Sequence, residues 1–312
     1  MNQLFKLKNN QLTPLDSLPF KLEKEIQTII ETNTQELFGL RLVKSEFTVG
    51  DFRLDSLCFD EETNSFVIIE YKRDKSYSVI DQGYSYLSTM LNNKSDFVLE
   101  FNENLKETLK RDQVDWSQSR IIFVSTSFSA YQKTSVNFKD VPFELWEISR
   151  FANDTICLNQ ISSNSKESIK SVGKEKGTVI KNVTDEIEVY DEDSHLTNAS
   201  EKVKDLYFEL KERVSGWENV GLRFKKHHIS ILNNNKVKIY LNIQKNQIKI
   251  HLLRRIDFKG DVESQKVIFD LQDPKSLFEL KATSHKEQYE YILKGEKDLD
   301  YLIILLKQKY DS

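Results

Sequence analysis

Three charged residues stand where apolar ones are expected. In the stretch FRLDSLCFDEETNSFVIIEYK, residues 52–72, Asp55, Glu70 and Lys72 fall within two of the most hydrophobic strand-like segments of the chain. Side chains alternate along a strand, so Glu70 and Lys72 share a face with Ile68, while Val67, Ile69 and Tyr71 take the other. Taking a carboxylate and an ammonium out of water costs on the order of several kcal/mol per ion unless they are paired or bound to a metal. Asp55 belongs to the preceding strand and can lie across from the strand of Glu70. Two carboxylates with a backbone carbonyl make a hard oxygen cage suited to Mg2+, whose other positions go to water and phosphate oxygens. A lysine beside that cage can orient or help deprotonate an attacking water and stabilise charge building on phosphate. These parts suit phosphodiester hydrolysis. Glu70 and Lys72 taken alone also fit a strand end emerging into solvent as a surface ion pair.

The elements that must position these residues follow from periodicity. FKLEKEIQTIIETNTQELFG, residues 20–39, places Leu22, Ile26, Ile29, Ile30, Leu37 and Phe38 at helical intervals and ends near Asn33 or at Gly39. RLVKSEF, FRLDSLCF and SFVIIEYK read as strands, the last two joined by the acidic turn DEETNS. YSVIDQGYSYLSTML reads as a helix with Gly83 as a blemish, and RIIFVSTSF as a buried central strand of an α/β sheet. FELWEI and TICLNQI complete the strands of a domain over residues 1–161. Residues 162–195 are polar and charged without a sustained period, which predicts a linker. From 196 to 312 an α+β module is expected. It has a helix over ASEKVKDLYFELKERV, a hairpin from KVKIYLNI and QIKIHLLRR, a strand KVIFDL, and helices at HKEQYEYILKG and DLDYLIILLKQKY.

Asp55 followed fifteen residues later by Glu70-Tyr71-Lys72 resembles the PD-(D/E)XK nuclease superfamily, with Leu54 in place of the eponymous proline. Two further features carry the resemblance. Glu23, Ile26, Ile30 and Asn33 match a helical E-x-x-(L/I)-x-x-x-I-x-x-N pattern ahead of the core strands. Gln82 and Tyr86, one helical turn apart, match a Q-x-x-x-Y motif after them. The resemblance covers about the first 160 residues. It implies a restriction-endonuclease-like core, a mixed central sheet flanked by helices, in a bacterial member fused to a second domain. It also implies that Asp55, Glu70 and the Tyr71 carbonyl hold Mg2+, or Mn2+ as a substitute. Lys72 would serve the water, Glu23 would assist at the metal, and Gln82 and Tyr86 would contact the substrate strand. Arg73 and Lys75 extend the positive charge toward where phosphates would lie.

The second module carries its own charge signal. Between Glu218 and Asp257 there is no acid, against nine Lys and Arg and three of the five histidines. Lys236, Lys238 and Tyr240 share one strand face, and Lys249 and His251 another, with Ile239, Leu241 and Ile243 toward the core. Together with Lys225, Lys226 and Arg254, this face suits a phosphate backbone. Lysines guarding an edge strand give the same pattern.

Composition sets the outer bounds. The chain has 312 residues, 38% hydrophobic and 30% charged, with 9 Gly, 4 Pro and a net charge of −4. That supports packed cores in about two domains and excludes wholesale disorder. Cys58 and Cys157 match no metal-ligand spacing and sit in apolar runs. No leader-like or membrane-spanning stretch is visible, which predicts a cytoplasmic protein. The expected function is a metal-dependent nuclease on nucleic acid, most naturally DNA, with no membrane partner. The second module would assist substrate binding, self-association or a protein partner. The competing expectation is a catalytically silent nuclease-like protein that binds nucleic acid or another protein.

Overall fold

The structure, a computed structural model, describes residues 3–72, 78–162, 165–172, 178–253, 255–257, 266–282 and 287–312. It divides into two compact units, Met1–Val189 and Tyr190–Ser312. No helix among the described residues is long and apolar enough to cross a membrane.

The first unit opens with a hairpin of β1 (Phe5–Lys8) and β2 (Gln11–Pro14), then the short β3 (Ser17–Leu18). Helices α1 (Glu23–Thr32) and α2 (Thr34–Phe38) meet at Asn33, and Gly39 closes α2 in the left-handed conformation at φ 71°. A meander follows: β4 (Arg41–Val49), β5 (Phe52–Asp60) and β6 (Ser65–Lys72). Helices α3 (Val79–Asn92) and α4 (Lys94–Leu105) lead to β7 (Arg120–Ser125), and α5 (Ala130–Ser135) leads to β8 (Phe143–Phe151) and β9 (Thr155–Ile161).

The strand order is β3-β8-β7-β6-β5-β4, with β9 paired to β8. β6 runs parallel to β7 and β7 to β8, while β4, β5 and β6 are antiparallel, so the sheet is mixed as expected. One face packs Leu57, Phe66, Ile68 and Phe123 against Leu87, Met90, Phe97 and Phe101 of α3 and α4. The other packs Cys58, Val67, Ile69, Tyr71 and Val124 against Ile26, Ile30 and Phe38 of α1 and α2. β6 is buried along its whole length because helices cover it on both sides.

Gly83 is required by that packing. A Cβ there would lie 2.4 Å from Cζ of Phe143, which projects from β8 into α3. Gly83→Ala is expected to destabilise the unit by about 1–3 kcal/mol through overpacking, read as a lower urea midpoint. Adding Phe143→Leu should recover much of the loss, and an additive double mutant would show that the ring is not the cause.

Among its described residues, the stretch expected to be a linker forms α6 (Ile169–Val172) and α7 (Thr178–Glu186), and Ile169, Val183 and Ile187 enter the core of the first unit. A few apolar anchors suffice in a segment whose average composition is polar.

The second unit contains α8 (Glu192–Leu196) and α9 (Glu201–Ser215), then β10 (Val220–Phe224), β11 (Ile229–Asn233), β12 (Lys236–Gln244) and β13 (Gln247–Leu253). β14 (Arg255–Asp257) pairs β15 (Lys266–Phe269), β16 (Glu279–Ala282) pairs β17 (Glu287–Leu293), and α10 (Leu299–Asp311) closes the chain. The main sheet, ordered β10-β11-β12-β13-β17-β16, packs one face on α9 and α10. The helix expected at HKEQYEYILKG is instead strand β17, in the interior of this sheet. Tyr289, Tyr291 and Leu293 meet the core at a spacing of two, and the pairing to β13 outweighs the helix-favouring Glu290 among them.

Candidate active site

The two acids come from adjacent strands at the point where their pairing stops. β5 and β6 are registered from Asp60↔Ser65 to Ser56↔Ile69 and no further. In place of a ladder bond, the Tyr71 N–H donates to Asp55 Oδ2 at 2.9 Å. The N–H and C=O of one strand residue leave on the same edge, so the Tyr71 carbonyl is also directed to the β5 side of β6. Glu70 and Lys72 lie at the carboxyl end of β6 beside the parallel β7, the end of an open α/β sheet where ligands usually bind.

Glu70 is 3% exposed and Lys72 9%. Lys72 Nζ donates to Glu70 Oε1 at 2.6 Å, and both side chains are nearly covered, so the surface ion pair that also fitted the sequence is not what forms. Gln82 Nε2 donates to the same Oε1 at 2.8 Å and to Tyr86 Oη at 2.7 Å, and Tyr86 Oη lies 3.5 Å from Oε1. Glu70 Oε2 is buried without a hydrogen-bond partner, as is Gln82 Oε1. Burial pushes the Glu70 carboxyl up to about 7, helped by the neighbouring Asp55 charge and opposed by Lys72. Asp55 is likewise raised, first by burial, while the Tyr71 N–H and Lys72 pull it down. Two acids that interact this closely with one oxygen left bare form a site with spare negative charge.

That donor set fits a hard divalent cation. A buried carboxylate oxygen with no donor is costly, and a cation beside Asp55 and Glu70 would both satisfy it and relieve their repulsion. Among the described residues, no group of three or more His, Cys, Asp and Glu is arranged to hold a metal. Asp55 and Glu70 would thus offer such an ion two carboxylates, a hard-oxygen set of the kind Mg2+ takes and not a closed cage of the zinc type.

Other expected residues fall differently. Glu23 opens α1 on an exposed position; its charge acts on Asp55, but it does not join the acid pair as a third ligand. Gln82 and Tyr86 do share a helix face, and they spend it on Glu70. Arg73, Lys75 and Arg254 lie outside the described residues. Sequence reasoning overlooked Gln27, Glu31 and Ser56. Their signal was Glu23, Gln27 and Glu31 at four-residue spacing along one face of α1.

In the second unit, Ile239 and Leu241 line the helix-covered core as expected, and Lys238, Tyr240, Lys249 and His251 take the opposite face. Lys225 is buried, with its backbone closing a turn onto His228, so it is withdrawn from that surface. Lys226 is half-buried and Lys236 exposed, while Lys238 bonds the carbonyl of Ser312. The topology also brings an acid to this face. Glu290 of β17 lies opposite His251 and pairs with Lys281, so the acid-free stretch of sequence does not make an acid-free surface. The His228 ring stands edge-on to Tyr240 at 4.9 Å.

Partial likenesses to solved structures involve a repair endonuclease from Pyrococcus abyssi (TM-score 0.22, 16% identity, 43% of this chain and 60% of that one). Pyrococcus furiosus SfsA in complex with Ca2+ gives 0.24, 17%, 44% and 61%. An EndoMS–double-stranded DNA complex gives 0.24, 17%, 47% and 64%. The chain thus spans under two thirds of each. No protein-family model matches it. A Haemophilus influenzae protein described only as uncharacterized is 39% identical over 311 residues, covering 98% of both chains. The chain belongs to the family of that Haemophilus influenzae protein.

Proposed function

We propose that the first unit is a metal-dependent nuclease of the PD-(D/E)XK type that hydrolyses phosphodiester bonds in DNA. The observation that carries this is the meeting of Asp55 with a buried Glu70 whose Oε2 has no partner, beside the nearly covered Lys72. Asp55, Glu70 and the Tyr71 carbonyl would hold Mg2+, for which Mn2+ can substitute. The ion, when bound, supplies Lewis acidity toward phosphate oxygen and acidifies water. Lys72 would orient the attacking water and stabilise developing phosphate charge, once a substrate draws it from Glu70. Gln82 and Tyr86 fix the Glu70 carboxylate. The Lys238–Tyr240–Lys249 face of the second unit offers cations and an aromatic to a phosphate backbone, as an aid to substrate capture.

Purified protein incubated with plasmid and with single-stranded DNA is expected to cut in Mg2+ and not in EDTA, and Asp55→Ala is expected to abolish cutting. Cutting that survives in Asp55→Ala assigns the activity elsewhere. Salt-dependent DNA binding without any turnover would mark the fold as a binding module.

A further inference from the structure

Beneath the acid pair, on the α1 side of the sheet, a polar cluster interrupts an otherwise apolar core. Gln27 is only 6% exposed. Its Nε2 lies 2.9 Å from Glu31 Oε1, 3.2 Å from Ser45 Oγ and 3.2 Å from the Asp55 carbonyl, three acceptors for two hydrogens. Glu31 Oε1 also accepts from Ser56 Oγ at 2.6 Å, and Ser56 Oγ lies 2.9 Å from Tyr71 Oη. The chain of bonds thus reaches from α1 to the residue after Asp55 and then to the residue after Glu70.

The backbone shows what this cluster replaces. Because the Tyr71 N–H points toward β5, Ile69 and Ser56 form the hydrogen-bonded pair, and the Asp55 carbonyl leaves on the opposite edge, toward β4. On β4 the register runs Ser45↔Ser56 and Phe47↔Leu54, with no pair between Glu46 and Asp55. Glu46 sits at φ 56°, a left-handed conformation unusual for a glutamate. At this position Gln27 takes the Asp55 carbonyl.

We propose that Gln27 and Glu31 are positioning residues that fix the Asp55 main chain so that its carboxylate meets Glu70 and a divalent cation. This rests on the cation site proposed above. A purely structural role for the cluster would stabilise the fold without altering cation affinity, and that difference is measurable.

The test is calorimetric titration of the full-length protein with MgCl2, alongside DNA cleavage at limiting and saturating Mg2+. Gln27→Met keeps the volume and removes the donor. It is expected to bind Mg2+ about 10-fold or more weakly, as outer-shell substitutions do, with cleavage largely restored at saturating Mg2+. Glu31→Leu should show the same loss, and Glu31→Gln, which keeps an oxygen acceptor, should recover most of it. If Gln27→Met does not fold by circular dichroism, Ser56→Ala gives the same readout with a smaller change, expected at roughly 3–10-fold, below that outer-shell range. Parental Mg2+ affinity in folded Gln27→Met or Ser56→Ala overturns the positioning role and leaves the nuclease standing. No Mg2+ binding by the parent, or undiminished binding by Asp55→Ala, overturns both.

Discussion

Lys72→Met is expected to cut DNA on the order of 10²–10³-fold more slowly than the parent, the usual effect of deleting one preorganised charge from a reacting centre, while still binding Mg2+. Methionine keeps the packing of the lysine stem, which is almost wholly covered, so the fold should survive. What goes is the ammonium 2.6 Å from Glu70 Oε1. Without it the acid pair carries one more unit of uncompensated negative charge, so cation affinity should hold or rise. Single-turnover plasmid cleavage and Mg2+ titration on one preparation separate the two effects. Loss of both together would make Lys72 a structural counter-ion, and loss of neither would remove it from the chemistry.

Asp55→Asn should raise the melting temperature of the metal-free protein at pH 8 by several degrees while abolishing both cleavage and the stabilisation by Mg2+. At that pH, above the value of about 7 to which burial and Asp55 raise Glu70, the Glu70 carboxylate is ionised beside Asp55 with one lysine to offset them. An asparagine oxygen can still accept from the Tyr71 N–H, and its amide can donate to Glu70, so one repulsion becomes one hydrogen bond. Relief of about 1–2 kcal/mol corresponds to roughly 2–8 °C for a unit of this size. Differential scanning fluorimetry with and without MgCl2 reads both halves. A metal-free variant that melts lower than the parent would show that Asp55 contributes more as an acceptor than it costs as a charge.

The acid pair was legible because it breaks a rule. Charges within SFVIIEYK and FRLDSLCF conflict with burial, and the structure buries Glu70 and Lys72 and half-buries Asp55. The α3 motif was equally legible as spacing, yet its role was not, since Gln82 and Tyr86 turn toward Glu70. The α1 cluster was hidden because Gln27 and Glu31 look like any solvated helix flank, and only the fold brings Ser45, Ser56 and the Asp55 carbonyl to them. No residue type announced the left-handed backbone at Glu46, since glutamate is a poor marker for positive φ. Strand β17 was misread because its alternation is written in tyrosine, glutamate and glutamine, and the linker because three aliphatic anchors disappear into a polar average.

The left-handed turn at Glu46 has an effect beyond the acids. β4 is nine residues long and stands at one end of the sheet order, where a straight, unpaired edge would invite the edge of another molecule. Its register slips between Leu42 and Lys44, its backbone reverses hand at Glu46, and Arg41, Lys44 and Glu46 punctuate it with charge. These irregularities spoil the border as a template for intermolecular strand addition, so the strand that lies beside Asp55 also guards against aggregation.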